Sequence, residues 1–126
     1  MKTMLRGKNT PMKPFCTITY DDFEKVDIRV GTVIRAEEFP EARMPAFKLW
    51  LDFGPEFGEI KTSAQITKNY SPSSLVGKQL AAVINFPPKQ IGHFMSSCLV
   101  LGFPDRSGEV TLITTDQNVP NGGKLF

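Results

Sequence analysis

The sequence predicts an all-β fold, in the form of a small barrel of short strands that is closed or partly closed. Apolar and polar residues alternate with a period of two in several stretches of strand length. Ten glycines and ten prolines among the 126 residues separate these stretches with turns. A short helical signal falls between the third and fourth stretches, an arrangement that favours a barrel over a sandwich. The length suits one domain with a single core.

Residues 1–18 are predicted to form a mobile basic arm in front of a folded domain over residues 19–126. The arm contains four basic residues, no acidic residue, one glycine and two prolines. Because no apolar stretch follows its positive charges, the sequence predicts no secretory signal. No apolar run reaches the length of about 18 residues that a membrane span needs. We therefore expect a cytoplasmic protein without membrane insertion.

A short helix and then a strand are predicted where the domain begins. Thr19 and Asp22 have the spacing of a capping box, with acidic residues in the first helical turn. The period then changes to two. The residues predicted to face the core are Val26, Ile28, Val30, Thr32 and Ile34. Arg29 is therefore expected to point away from the core, and Gly31 to mark a bulge or a close backbone approach.

The second and third strands show the clearest alternation. The apolar face of the second strand is predicted to consist of Phe47, Leu49, Leu51 and Phe53. That of the third is predicted to consist of Ile60, Thr62, Ala64 and Ile66. Lys61, Ser63 and Gln65 then form a polar outer face on the third strand.

The remaining elements are one helical turn and further short strands. Ser71 is a predicted N-cap before Pro72, and Gly77 a predicted residue just after the helix. Apolar runs at 80–86, 98–101 and 110–113 predict strands separated by glycine and proline. The oligonucleotide/oligosaccharide-binding (OB) type is among the barrels that this order favours.

Charge is segregated along the chain. Residues 60–104 contain four lysines and no acidic residue, although the whole chain contains 13 acidic residues. Residues 21–59 contain ten acidic and five basic residues. The net charge of +2 therefore understates the local field that could attract an anionic partner.

The sequence predicts a protein that is not an enzyme and uses neither a metal nor another cofactor. His93 is the single histidine, and no metal-binding spacing, nucleophile motif or phosphate-binding glycine loop is present. Cys16 and Cys98 are isolated and expected to be reduced thiols, with Cys98 in the core.

The loop at 85–91 is the strongest candidate for ligand binding. Two prolines stiffen it between Phe86 and Lys89, and Phe94 follows closely. Beside the polar face of the third strand, this mixture of cation, amide and aromatic groups suits unpaired nucleotides. The alternative remains open that the aromatic residues belong to the core and the lysines are only solvated.

Several motifs occur in the order found in a known family. They are DFEKVDIRVGTVIRAEEFPEARMPAFKLWLDFG, SAQIT, YSPSSLVGKQLAAVINFPPKQIGHFMSSCLVLGF and VPNGGKL. From about Asp22 onward the chain resembles the CsaA-type secretion chaperones, free-standing members of the tRNA-binding domain family that is also appended to methionyl-tRNA synthetases. The resemblance implies a five-stranded OB-fold barrel with short helices and terminal extensions, a homodimer, and non-catalytic binding.

The resemblance also implies where a ligand binds. The family's strand motif matches 27–31, its Ser-Gly-Leu position matches 63–65, its basic loop matches 85–90, and its later serine matches Ser96. Together with the pattern above, the candidate contact residues are Arg29, Lys48, Trp50, Lys61, Ser63, Gln65, Asn85, Phe86, Pro88, Lys89, Phe94 and Ser96. Where tRNA binders place three basic residues in the loop, this chain keeps Lys89 and has Pro87 and Gln90.

Two functions remain open from the sequence. One is a chaperone for unfolded preproteins in export, with the secretion machinery as a further partner. The other is a module that binds tRNA or another structured RNA and acts with the translation machinery. Aromatic side chains beside cations suit bases and apolar peptide side chains alike, so composition does not separate them.

Overall fold

The computed structural model of the protein describes residues 15–126. Most of the predicted arm, residues 1–14, lies outside this range. The helices are α1 (Tyr20–Glu24), α2 (Gly54–Phe57) and α3 (Pro72–Leu75). The longer strands are β1 (Ile28–Glu38), β2 (Phe47–Asp52), β3 (Glu59–Ala64) and β4 (Gln79–Val83). The short strands are β5 (Lys89–Ile91), β6 (Phe94–Ser96), β7 (Leu99–Val100), β8 (Gly102–Pro104) and β9 (Val110–Leu112).

Five strands form an antiparallel sheet in the order β3-β2-β1-β4-β7, and β5–β6 and β8–β9 form separate hairpins. The two edges of the sheet approach each other just before β7. Ser97 N donates to Lys61 O at 2.8 Å, and the Thr62 hydroxyl donates to Cys98 O at 2.6 Å. The sheet is thus an almost closed barrel, which confirms the predicted all-β OB fold.

The predicted caps are present at two helices. Thr19 Oγ1 accepts from Asp22 N at 3.1 Å, and the Asp22 carboxylate accepts from Thr19 N at 3.0 Å, which is the expected capping box. Ser71 caps α3 with Pro72 in its first turn, and Gly77 follows with a φ of 94°. None of the helices within residues 15–126 has the length and apolar character needed to cross a membrane.

The predicted inward face of β1 is wrong. Gly31 and Val33 point into the barrel, whereas Ile34 is exposed and Val26 lies before the strand. Both faces of the strand carry apolar residues, because another segment of the chain partly covers the outer face. The C-terminal segment (residues 119–126) pairs with this strand: Gly122 N donates to Val30 O at 2.7 Å, and Leu125 N donates to Ile28 O at 2.8 Å.

The alternation predicted for β2 and β3 is confirmed. Leu49, Leu51 and Phe53 are fully buried, and Thr62 is buried opposite them. Because successive strand residues face opposite sides, their neighbours in sequence lie on the outer surface of the barrel. These two strands therefore position the polar side chains of the candidate site.

The loop after β4 begins earlier than predicted. The strand ends at Val83, and Asn85 and Phe86 already belong to the loop. The hairpin β5–β6 and strand β8 were not predicted, because strands of three residues are too short for periodicity to be visible. Strand β9 lies within the strand predicted at 110–113.

Candidate functional site

Two neighbouring surfaces contain most of the predicted site residues. The first, called here the lysine face, consists of Lys48 and Lys61 on the outer side of β2 and β3 with Phe39, Trp50 and Phe94 beneath and beside them. In the strand register Trp50 is opposite Lys61, and Lys48 is opposite Ser63. Directly opposite residues on an antiparallel pair have neighbouring side chains, so the two lysines and the tryptophan form one cluster.

Phe94 lies at the centre of this cluster and is buried, with 7% of its surface exposed. Its ring meets Trp50 edge to face at 5.9 Å and lies 5.4 Å from the ring of Phe39. Little of the ring is therefore accessible, and the listing of Phe94 as a ligand contact stays a prediction. The side chain was on the predicted list because a lone phenylalanine after a loop gives no sign of its burial.

The ammonium groups of both lysines lie over aromatic rings. Lys48 Nζ is 4.9 Å from the centre of the Phe39 ring and 5.5 Å from that of Phe94. Lys61 Nζ is 5.0 Å from the centre of the Phe94 ring. Among residues 15–126, the carboxylates form ion pairs with Lys25, Arg29 and Arg35, and with neither of these lysines. Both charges are therefore held by cation–π contacts that leave them uncompensated.

Arg35 is a residue of this face that the sequence did not single out. Its guanidinium carbon lies 4.2 Å from the centre of the Trp50 ring, and Nε donates to Glu37 at 2.6 Å. Trp50 is half-buried, and the guanidinium covers one side of its ring. The alternation of Arg35 and Glu37 along the end of β1 was the available signal, but Arg35 follows Ile34, the last residue of the predicted apolar face.

The second surface, called here the apolar groove, runs between the loop after β4 and strand β7. It consists of two adjoining cavities of about 330 and 340 Å³. Lys89, Ser96, Cys98 and Leu99 line both cavities, and Phe86 lines the first. Phe86 and Leu99 remain 54% and 48% exposed. The open alternative that Phe86 is a core residue is therefore excluded, and Leu99 is an apolar groove residue that the sequence did not identify.

Ser63 and Gln65 connect the two surfaces, since both line the second cavity of the groove from the outer side of β3. Ser96 fixes the position of this connection. Its Oγ accepts from Ser63 N at 3.1 Å and lies 3.0 Å from the Thr62 hydroxyl. Ser96 therefore aligns the β5–β6 hairpin with β3. Pro88 is exposed on the same loop as Phe86.

Arg29 and Asn85 belong to neither surface. Arg29 pairs with Asp27 at 2.6 Å, donates to Gly122 O at 3.1 Å and lies 4.6 Å from the centre of the Phe57 ring. The sequence predicted that Arg29 points away from the core, and its largely buried side chain packs against the C-terminal segment. Asn85 accepts from Asp27 N at 3.0 Å and donates to Lys25 O at 2.7 Å, so its amide connects the loop to the end of α1.

The groove and its surroundings offer little chemistry beyond binding. Burial raises the pKa of the Cys98 thiol to about 12, although a hydrogen bond with Thr62 acts in the opposite direction. The thiol is therefore protonated at neutral pH, as a core residue should be. Residues 15–126 contain no group of three or more His, Cys, Asp or Glu side chains placed to hold a metal ion.

Comparison with known proteins agrees with this geometry. The model of the family described as "Putative tRNA binding domain" matches residues 28–124. The chain belongs to the tRNA-binding domain family. Within this family it is similar to two solved CsaA chaperones, from Bacillus anthracis and Picrophilus torridus, each with 48% sequence identity. Their TM-scores are 0.81 and 0.80, and the match covers 88% and 87% of this chain and 100% of each of theirs. These matches identify it as a CsaA-type member of the tRNA-binding domain family.

A methionine–tRNA ligase from Methanocaldococcus jannaschii is 34% identical over 102 residues. The match covers 81% of this chain and 15% of the ligase, so the chain spans a small part of the length of that relative. The shared part is the tRNA-binding type of domain and not the whole ligase.

Proposed function

We propose that this protein is a non-catalytic, CsaA-like chaperone that binds unfolded preproteins during export through the apolar groove. The observation that carries this proposal is the pair of exposed apolar side chains, Phe86 and Leu99, that line one cavity of the groove together with Lys89. Burying apolar surface contributes about 25 cal/mol per Å², so an extended segment with apolar side chains gains free energy by covering them. The groove consists of two adjoining cavities, which suits an extended chain.

The loop that carries Phe86 is suited to this role. Pro87 and Pro88 fix two backbone φ angles and remove two backbone donors. A stiff loop loses little conformational entropy when a ligand binds, so more of the contact energy appears as affinity. Lys89 adds a charge that suits acidic side chains or the carbonyl groups of an extended backbone.

The lysine face supports tRNA binding as a second function. Lys48 and Lys61 are uncompensated by acidic residues within residues 15–126, and Lys89 lies in the adjoining groove. The family match points to the same class of ligand. Phosphate contacts from lysines position RNA without reading its sequence. We therefore place polypeptide in the groove, and RNA phosphates on the lysine face and on Lys89 beside it.

A cytoplasmic homodimer is part of the proposal. The C-terminal segment leaves Leu125 half-exposed and Phe126 fully exposed. Beside it lies an apolar pocket of about 420 Å³ lined by Ile28, Val30 and Ile113. A second copy of the chain would bury these side chains, whereas a monomer leaves them in water.

Titrations of unfractionated bacterial tRNA and of an unfolded preprotein, each at two salt concentrations, test these assignments. Preprotein binding should change little with salt, whereas tRNA binding should weaken steeply because phosphate contacts release counterions. Lys89→Ala should make the slope of log K against log salt for tRNA shallower by roughly 0.7 to 0.9. The control is Arg106→Ala, which removes an exposed charge on the β8–β9 turn. A wild type that does not bind preprotein would contradict the chaperone function, and one that does not bind tRNA would contradict the second function.

A further inference from the structure

Phe94 and Phe39 are buried, yet they contact the two uncompensated ammonium groups of the lysine face. We propose that these two phenylalanines are positioning residues that hold Lys48 and Lys61 as a preorganised anion site for the phosphates of RNA. The inference rests on the proposed tRNA-binding function and adds to it which residues arrange the cations. It concerns side chains that do not themselves reach the ligand.

The first step of the argument is conformational. A lysine side chain has four rotatable bonds along its carbon chain, and it loses rotamer freedom when it is fixed against a ligand. Lys48 lies against two rings, and Lys61 lies against one of them. Much of that freedom is already lost in the free protein. Less is therefore lost on binding, and this raises affinity without any new contact.

The second step concerns charge. A carboxylate partner would neutralise a lysine, whereas an aromatic ring attracts the ammonium group and leaves its charge intact. Glu37 is opposite Lys48 in the β1–β2 register and would be its nearest candidate partner. Instead, its carboxylate is bound by Arg35, whose guanidinium lies over Trp50. The arrangement around Trp50 therefore keeps the acidic group engaged and leaves Lys48 available.

The third step concerns the kind of ligand. Phe39 and Phe94 are almost wholly buried, so their rings offer an incoming ligand little apolar area beside the two charges. Apolar peptide side chains gain little there, and they find a better site in the groove beside Phe86. Phosphate groups need charge and not apolar surface. The lysine face therefore favours RNA over polypeptide.

Double-mutant cycles with unfractionated bacterial tRNA test the inference. Phe94→Leu removes the ring but keeps an apolar side chain, and it should weaken binding by roughly two- to fivefold, the equivalent of one exposed cation–π contact. In this background the loss caused by Lys48→Ala or Lys61→Ala should become smaller than in the wild type. Lys89→Ala is the matched control, because Lys89 lies on the same hairpin as Phe94 without contacting its ring. Its effect should be unchanged.

A second variant separates positioning from damage to the hairpin. Phe39 lies outside the hairpin, and of the two lysines its ring contacts Lys48 alone. Phe39→Leu should therefore couple more strongly to Lys48→Ala than to Lys61→Ala. This variant also tests the inference if Phe94→Leu does not fold. If the losses in tRNA affinity simply multiply in every cycle, the residues are not coupled and the positioning role is wrong. Coupling of Phe94 to Lys89 would also overturn it.

Two outcomes distinguish this inference from the function on which it rests. If the wild type does not bind tRNA at all, the proposed RNA function is wrong, and so is the proposed anion site for RNA phosphates. If the wild type binds tRNA but the cycles show no coupling, only the positioning role is wrong. Coupling seen with an acidic unfolded polypeptide and absent with tRNA would overturn the assignment of the site to phosphate.

Discussion

Gly31 and Phe53 are so close that a Cβ atom on Gly31 would lie 2.8 Å from Cε1 of Phe53. Phe53 is fully buried, so its ring has little room to move. Gly31→Ala should therefore lower the free energy of unfolding by about 1–3 kcal/mol. Urea unfolding followed by circular dichroism measures this loss.

Gly123→Ala is the matched control for that substitution. The nearest heavy atoms to a Cβ on Gly123 lie 3.6 Å away, which is ordinary contact distance. Its unfolding free energy should stay within about 0.5 kcal/mol of the wild type. Equal stability of both variants would show that the Phe53 ring moves aside at little cost.

Gly31 also shows what the sequence could and could not reveal. An isolated glycine in a strand pattern predicted a bulge or a close backbone approach, and the group that approaches Gly31 is the ring of Phe53. The inward face of the same strand was predicted wrongly, because Ile28 and Val30 are as apolar as residues that face the interior of a barrel. Their covering is a segment about 93 positions further along the chain, at Gly122. A contact at such a distance leaves no trace in local periodicity.

Burial of the Cys98 thiol predicts a pH dependence of stability. The pKa of this thiol is raised from 9.0 to about 12 in the folded protein. Above pH 9 the unfolded chain loses this proton while the folded chain keeps it, so stability falls as pH rises toward 12. The loss should reach about 1.4 kcal/mol per pH unit.

Comparison with Cys98→Ala isolates this effect from the titration of lysines. The variant lacks the thiol, so the stability gap between it and the wild type should narrow between about pH 8 and about pH 10.5. A constant gap would mean that the thiol ionises in the folded protein as it does in the unfolded chain.

The exposure of Phe86 predicts separate effects on stability and binding. Had the ring been in the core, Phe86→Ala would cost about 3–5 kcal/mol of stability. Because the ring is exposed, the free energy of unfolding obtained from thermal melts should change by no more than about 0.5 kcal/mol. Binding of an unfolded preprotein should weaken by about 1–3 kcal/mol in an isothermal titration.

Phe103→Ala is the control, since this phenylalanine is also exposed but lies on β8 outside the groove. It should bind preprotein like the wild type. Equal losses from both substitutions would indicate that exposed aromatic area in general, and not the groove, attracts the ligand.

Removal of the residues after Gly122 should weaken the proposed homodimer. This truncation deletes the exposed Leu125 and Phe126 and uncovers Ile28. Light scattering should give the mass of two subunits for the wild type at micromolar concentration, and a lower mass for the truncated chain. A wild-type mass of a single 14.0 kDa subunit would contradict the dimer.

The candidate site was only partly predictable. Lys61 and Ser63 were placed on one outer face, because clean alternation in the third strand fixes which side each residue takes. Phe94 was listed as a ligand contact although it is buried, since the second small core around Phe39 is assembled from separate loops and a hairpin. Arg35 was missed because β1 extends beyond the point at which its apolar pattern ends.

The pairing of β1 with the C-terminal segment has a consequence for how the chain folds. Arg29 and Gly122 are joined across 93 positions, whereas β1, β2 and β3 follow one another with short connections. Closing a long loop costs entropy before its contacts can contribute, so the neighbouring strands should associate first. The start of β1 at Ile28 and Val30, beyond the end of β2, would then keep one edge unpaired until late in folding. An unpaired edge is where two unfinished chains can exchange strands.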